Sequence, residues 1–171
     1  MNHPLQMLRY NAWANQTLLN RIKELPPETL HREVNTSFPT IAHAFAHMHM
    51  VDQIFYAVLS GTEMQEAMNA RMPLADQPIH DTPDELSRRF AELNRQFETW
   101  IDAGPDLEQT FILNNPYVGP RETGRSEIVL HLVNHGTYHR GNVSTMLRQL
   151  GHASTMTDYI FFWYQDQAPA Q

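Results

Sequence analysis

An all-α fold is predicted for this chain: a four-helix bundle with a short irregular hairpin before its last long helix. Three observations carry that expectation. Four segments of helical length repeat their apolar residues every three or four positions, prolines and glycines punctuate their ends, and no segment sustains the strict alternation of a half-buried sheet.

The first helix is expected from His3 or Pro4 to about Lys23. Met7, Tyr10, Ala14, Leu18 and Ile22 form one stripe, widened by Leu8, Trp13 and Leu19, and Pro26-Pro27 stops it. The segment after it reads as a connector with one helical turn. A second helix is expected to begin between Thr36 and Pro39 and to end at Gly61. The stretch from Gly61 to Thr82 holds prolines and no sustained period, so it reads as a loop with a short helix. Thr82, Pro83 and Glu85 form a capping-box signature for the third helix. Its stripe is Leu86, Phe90, Leu93, Phe97 and Ile101, and Gly104-Pro105 ends it. Turn residues at Asn114-Asn115-Pro116 and Gly119-Pro120 mark the hairpin. The residues around Tyr159–Tyr164 read as a short last helix or an extended arm with a strongly aromatic face, and the tail from Asp166 onward is expected to fray. The prediction is one domain over residues 1–171, and the unequal connections leave the up-down order of the helices open.

The fourth long helix, expected from Ser126 to Gly151, organises the chain. Ile128, Leu132, Val133, Val143, Met146, Leu147 and Leu150 recur at helical spacing, and Gly151 is a stop signal. It carries His131, His135 and His139, each four residues from the next. Residues four apart lie one turn along a helix and about 40° apart in azimuth, so two such imidazoles can face one cation. Gly136 follows His135, so the glutamate of a zinc-protease helix is absent. Three histidines over two turns span ~12 Å at 1.5 Å per residue, too far for one ion. Another helix must therefore supply a third ligand if the site is catalytic. The second helix offers His43, His47 and His49. His47 sits mid-helix, as do His135 and His139, and facing mid-helix histidines are how bundles build metal sites. The plainer reading is that each is an ordinary core or boundary histidine bonded to backbone or water.

Composition narrows the chemistry. Apolar residues make up 42% of the chain, enough to pack a core. The formal net charge of −7 argues against nonspecific binding to nucleic acid or to an anionic membrane. With no cysteine, disulfides are excluded and any metal must sit on nitrogen and oxygen ligands. The same count, with no apolar run long enough to span a bilayer and no signal-like start, fits a cytoplasmic protein.

The run HLVNHGTYHRGN, His131 to Asn142, followed by LRQLG, resembles the C-terminal signature of the DinB/YfiT-like family of metal-dependent enzymes, whose usual form is close to NHxxxHRGQ. The segment HMHMVDQIFYAVLSG, His47 to Gly61, is similar to the family's H-x4-D-x2-W-x5-G block, and LRYNAWANQTL, Leu8 to Leu18, looks like its first helix. The resemblance implies a four-helix bundle, often dimeric, with a divalent metal on three histidines. Carried over position by position, the ligands are His47, His135 and His139, because Asp52 and Gly61 fall at family spacing only from His47. Phe55 stands where the family usually has Trp, and Asn142 replaces the common Gln.

Such a site would suit Zn, Ni, Fe or Co and would leave an open position. The resemblance extends to relatives that transfer low-molecular-weight thiols such as mycothiol or bacillithiol, so a thiol is a further expected cofactor. The functional expectation is a divalent-metal-dependent enzyme of small-molecule chemistry, a hydrolase or a thiol-dependent transferase, acting as a homodimer. The alternative is a non-catalytic structural or interaction protein whose metal staples the bundle. No unambiguous general base stands out: Asp52, Tyr10 and Arg140 each also read as helix-surface or salt-bridge residues.

Overall fold

The computed structural model describes residues 3–165. Its long helices are α1 (His3–Lys23), α2 (Ile41–Leu59), α4 (Pro83–Asp102) and α5 (Arg125–Gln149), with short α3 (Met64–Arg71) and α6 (Tyr159–Phe162). An antiparallel hairpin of β1 (Thr110–Asn115) and β2 (Gly119–Gly124) pairs Thr110 with Gly124 and Asn115 with Gly119. No described helix is long and apolar enough to cross a membrane. The tail from Asp166 onward, expected to fray, lies outside the described residues.

Local chemistry sets the boundaries. The second helix starts at Ile41, later than the expected Thr36–Pro39, because Pro39 disfavours helical backbone before it and Thr40 is the cap, accepting from the His43 amide at 3.3 Å. The third long helix opens as expected, with Thr82 and Glu85 exchanging bonds in a complete capping box. At the start of α5, Glu127 accepts from the Gly124 amide at 2.9 Å. Gly151, at φ 85°, takes the left-handed conformation that ends this helix cheaply. The connector between α2 and α4 is more helical than expected. Glu63 caps α3 by accepting from the Gln65 amide at 2.7 Å, and two proline-containing 3-10 turns follow.

Two apolar clusters reveal how the helices run. One joins Leu18, Leu19 and Ile22 of α1 to Phe45 and Met48 of α2, Leu86 and Phe90 of α4, and Met146 and Leu147 of α5. The other joins Leu8 of α1 to Ile54 and Val58 of α2, Leu93 and Phe97 of α4, and Ile128 and Leu132 of α5. The late halves of α1 and α5 therefore share an end with the early halves of α2 and α4. Helices α1 and α5 run parallel to each other and opposite to α2 and α4. The order is down-up-up-down, and α3 with its 3-10 turns forms the crossover that returns the chain along the bundle. The extensive contacts are α1 with α5 and α4, and α2 with α5, and a smaller one joins α2 to α4.

Between these clusters lies a polar waist. Asn11 and Asn15 on α1, Asp52 on α2, and His139 and Arg140 on α5 are all buried there. Asp52 and Arg140 are thus interior residues rather than the surface ones their charge suggested, and Tyr10 is buried with them.

Candidate metal centre

Helices α2 and α5 meet at the waist, and their contact brings His47, His135 and His139 together. One ring nitrogen from each lies within 4.8 Å of the others. The Nε2 of His135 is 3.1 Å from that of His47 and 3.0 Å from that of His139. Nitrogens arranged tetrahedrally about an ion at about 2.0–2.1 Å would stand roughly 3.3 Å apart, so the spacing fits a shared cation. Bare imidazoles gain little from this convergence, because at most one hydrogen can sit between each pair.

The protonation states fit as well. Burial lowers the His47 pKa, pushes His139 down to about 4 and His135 down to about 3, and the neighbouring imidazoles add to the last two shifts. All three are therefore neutral near pH 7, with lone pairs available for a Lewis acid.

Other side chains fix the rings. The amide Nδ2 of Asn142 is 3.3 Å from Nδ1 of His139. A histidine that aims the Nε2 lone pair inward carries its hydrogen on Nδ1, so the amide turned end for end places its oxygen there to accept it. Phe38 lies against two of the imidazoles, its ring centre 5.4 Å from that of His47 and 5.3 Å from that of His139. Nδ1 of His135 is buried without a partner among the described residues.

The remaining histidines fall elsewhere. His131 lies one turn before His135, with ring centres 6.0 Å apart, and is not in the converging set. His43 bonds through Nδ1 to the Thr40 hydroxyl at 2.8 Å. His49 is buried on the opposite side of α2 against Phe90, and burial holds its pKa down to about 4. A hollow of about 710 Å³ beside His49, Asp81 and Arg89 contains none of the three clustered histidines.

Behind the histidines, Arg140 is clamped by α1. Its Nη1 donates to Asn11 Oδ1 at 2.6 Å and Asn15 Oδ1 at 2.8 Å, its Nη2 donates to Thr137 Oγ1 at 2.9 Å, and the guanidinium lies over the Tyr10 ring at 5.4 Å. The Tyr10 hydroxyl in turn donates to the Thr157 carbonyl at 2.9 Å. Asn11 and Asn15 are not among the residues that the motifs single out. Their spacing of four inside an apolar stripe was the available signal, since it places two amides on the buried face. Phe38 carried no such signal, because it precedes the helix in irregular chain.

Comparison with known proteins agrees with this architecture. The chain is 38% identical over 159 residues to Protein DinB of Bacillus subtilis (strain 168), covering 93% of this chain and 92% of that protein. A crystal structure of a DinB-like protein from Bacillus cereus ATCC 10987 superposes with a TM-score of 0.66 at 20% identity, covering 91% of this chain and 94% of that one, a likeness of fold. The model of the DinB family matches residues 1–169, and with that match over nearly the whole chain the protein belongs to the DinB family.

Proposed function

We propose that this protein is a divalent-metal-dependent enzyme of small-molecule chemistry, of hydrolase or thiol-dependent transferase type, with His47, His135 and His139 as the ligands. The observation that carries the reading is the convergence of three neutral Nε2 atoms from two helices, at 3.0 and 3.1 Å. A divalent ion such as Zn, Ni or Fe held by three neutral nitrogens supplies a Lewis acid that keeps its double charge and lowers the pKa of water or of a low-molecular-weight thiol.

The residues of the chain prepare that chemistry. His47 and the α5 pair come from separate helices, so their spacing depends on the packing of α2 on α5, and the two apolar clusters hold that packing from both ends. Asn142 sets the tautomer of His139, Phe38 shields two imidazoles, and the Arg140 clamp seats the α5 turn that carries both α5 ligands. Three protein ligands also leave a position for substrate, which a structural site closed by four ligands would not.

The test is metal analysis of protein purified without a histidine tag and incubated with Zn or Ni. Wild type should carry about one ion per chain, and the His135→Ala, His139→Ala double variant should carry almost none. Equal and negligible loading of both would end the proposal.

The protein is also proposed to act as a homodimer. Ile160, Phe161, Trp163 and Tyr164 are each more than two-fifths exposed, while Phe162 between them packs against Tyr10 and Trp13. Aromatic side chains left in water at this density favour a second copy as cover.

A further inference from the structure

A groove of about 330 Å³ opens between the β-hairpin and the outer faces of α2 and α5. Its floor is Phe55, Ile128 and His131, and its rim is Leu113 and Val118 of the hairpin. The floor is aromatic: the Phe55 and His131 ring centres are 4.7 Å apart. None of the three clustered histidines lines the groove, and His131 stands between it and the cluster, with its ring centre 6.0 Å from that of His135. The two charged residues of the groove neutralise each other. Arg121 Nη2 donates to Glu127 Oε1 at 2.6 Å, and the same carboxylate holds the Gly124 amide through its other oxygen. An anionic guest would have to draw Arg121 away from a carboxylate already fixed at the helix start, and a cation would meet Arg121.

We propose that this groove is the substrate cleft of the histidine cluster and takes a small, uncharged, flat aromatic compound of one or two fused rings. The ring system lies between Phe55 and Val118, and its reactive end points past His131 toward His135. The proposal rests on the metal-centre reading. Its size is at the lower end for ligand pockets and suits one compact guest. The rings of Phe55 and His131 offer edges and faces to a planar guest. Val118 is 84% exposed at the hairpin turn, so the rim spends apolar surface on water unless something covers it.

Indole and indole-3-carboxylate serve as probes, titrated into metal-free protein while the methyl NMR signals of Leu113 and Val118 are followed. Indole should shift both signals and bind at least tenfold more tightly than the carboxylate. Val118→Glu, at an exposed turn position, should weaken indole tenfold or more. Ile112→Glu, on the other face of β1, should leave it unchanged. Unmoved Leu113 and Val118 signals, or a carboxylate that binds as tightly as indole, would overturn the proposal. A final arm repeats the titration with cobalt-loaded protein, where the metal should broaden the bound indole signals relative to zinc-loaded protein. Failure to take up cobalt would count against the metal centre and leave the metal-free titration readable. Uptake without broadening would overturn the link between groove and cluster.

Discussion

Asn11 on α1 and Arg140 on α5 meet at 2.6 Å directly across the space that Gly136 leaves empty. A Cβ at position 136 would stand 2.2 Å from Asn11 Oδ1 and 2.8 Å from Arg140 Nη1. The glycine is there because the clamp behind the histidines needs its volume.

Gly136→Ala therefore reverses an ordinary sign. In an unobstructed helix interior the change stabilises by about 1 kcal/mol. Here the clamp must shift, and overpacking of this kind costs about 1–3 kcal/mol. Denaturant melts should show a net loss, accompanied by weaker metal binding as the α5 turn moves. A gain in stability would show that the Asn11 and Arg140 side chains give way at little cost.

Single substitutions separate ligand from neighbour. His47→Gln, His135→Gln and His139→Gln should each lower zinc affinity by orders of magnitude, because a three-ligand site falls to two. His131→Gln should leave stoichiometry and affinity near wild type. Titration calorimetry on tag-free protein reads both, and the reverse ranking would move the site one turn toward the start of α5.

Asn142 is expected to act through His139. Removing its amide in Asn142→Ala should lower metal affinity about 10-fold to 100-fold, the usual cost of losing a partner that orients a ligand histidine. Stability of the metal-free protein should change little, since Asn142 is only half-buried. Unchanged affinity would mean that the His139 ring is oriented by packing alone.

Asp52 makes stability depend on pH. Burial pushes its carboxyl up to about 7 against an ordinary 3.8, with Arg140 pulling the other way. Between those values the unfolded chain releases a proton that the folded chain keeps, so this group lowers stability as pH rises from about 4 to 7 and adds no further change above that. Asp52→Asn removes this contribution. The melting midpoint of the metal-free variant should gain on wild type steadily across that window, whereas parallel midpoints would contradict a buried, protonated Asp52.

Assembly is read by light scattering at micromolar concentration, where the chain should run as a dimer. Replacing Trp163 and Phe161 together by Ser should shift it to a monomer without large loss of stability, since both are exposed on the single chain. A monomeric wild type would end the dimer proposal.

The elements themselves were legible in the residues. Stripes such as Leu86, Phe90, Leu93 and Phe97, and punctuation such as Thr82-Pro83 and Gly151, act within one or two turns, so short-range spacing identifies them. The pairing of His135 with His139 is of the same kind, because four residues of helix place them on one face whatever surrounds them. The meeting of His47 with that pair depends on which helices touch. From the spacing alone His43, His47 and His49 were all open, and only the resemblance chose among them. The helix order, the start of α2 and the burial of Asp52 and Arg140 belong to the same class. A charged side chain looks like a surface residue until a neighbouring helix brings the partners that make its burial tolerable, here Asn11 and Asn15 of α1 for Arg140. Those partners are up to 129 residues away along the chain, so no local pattern could place them, and the packing of α1 against α5 decided it.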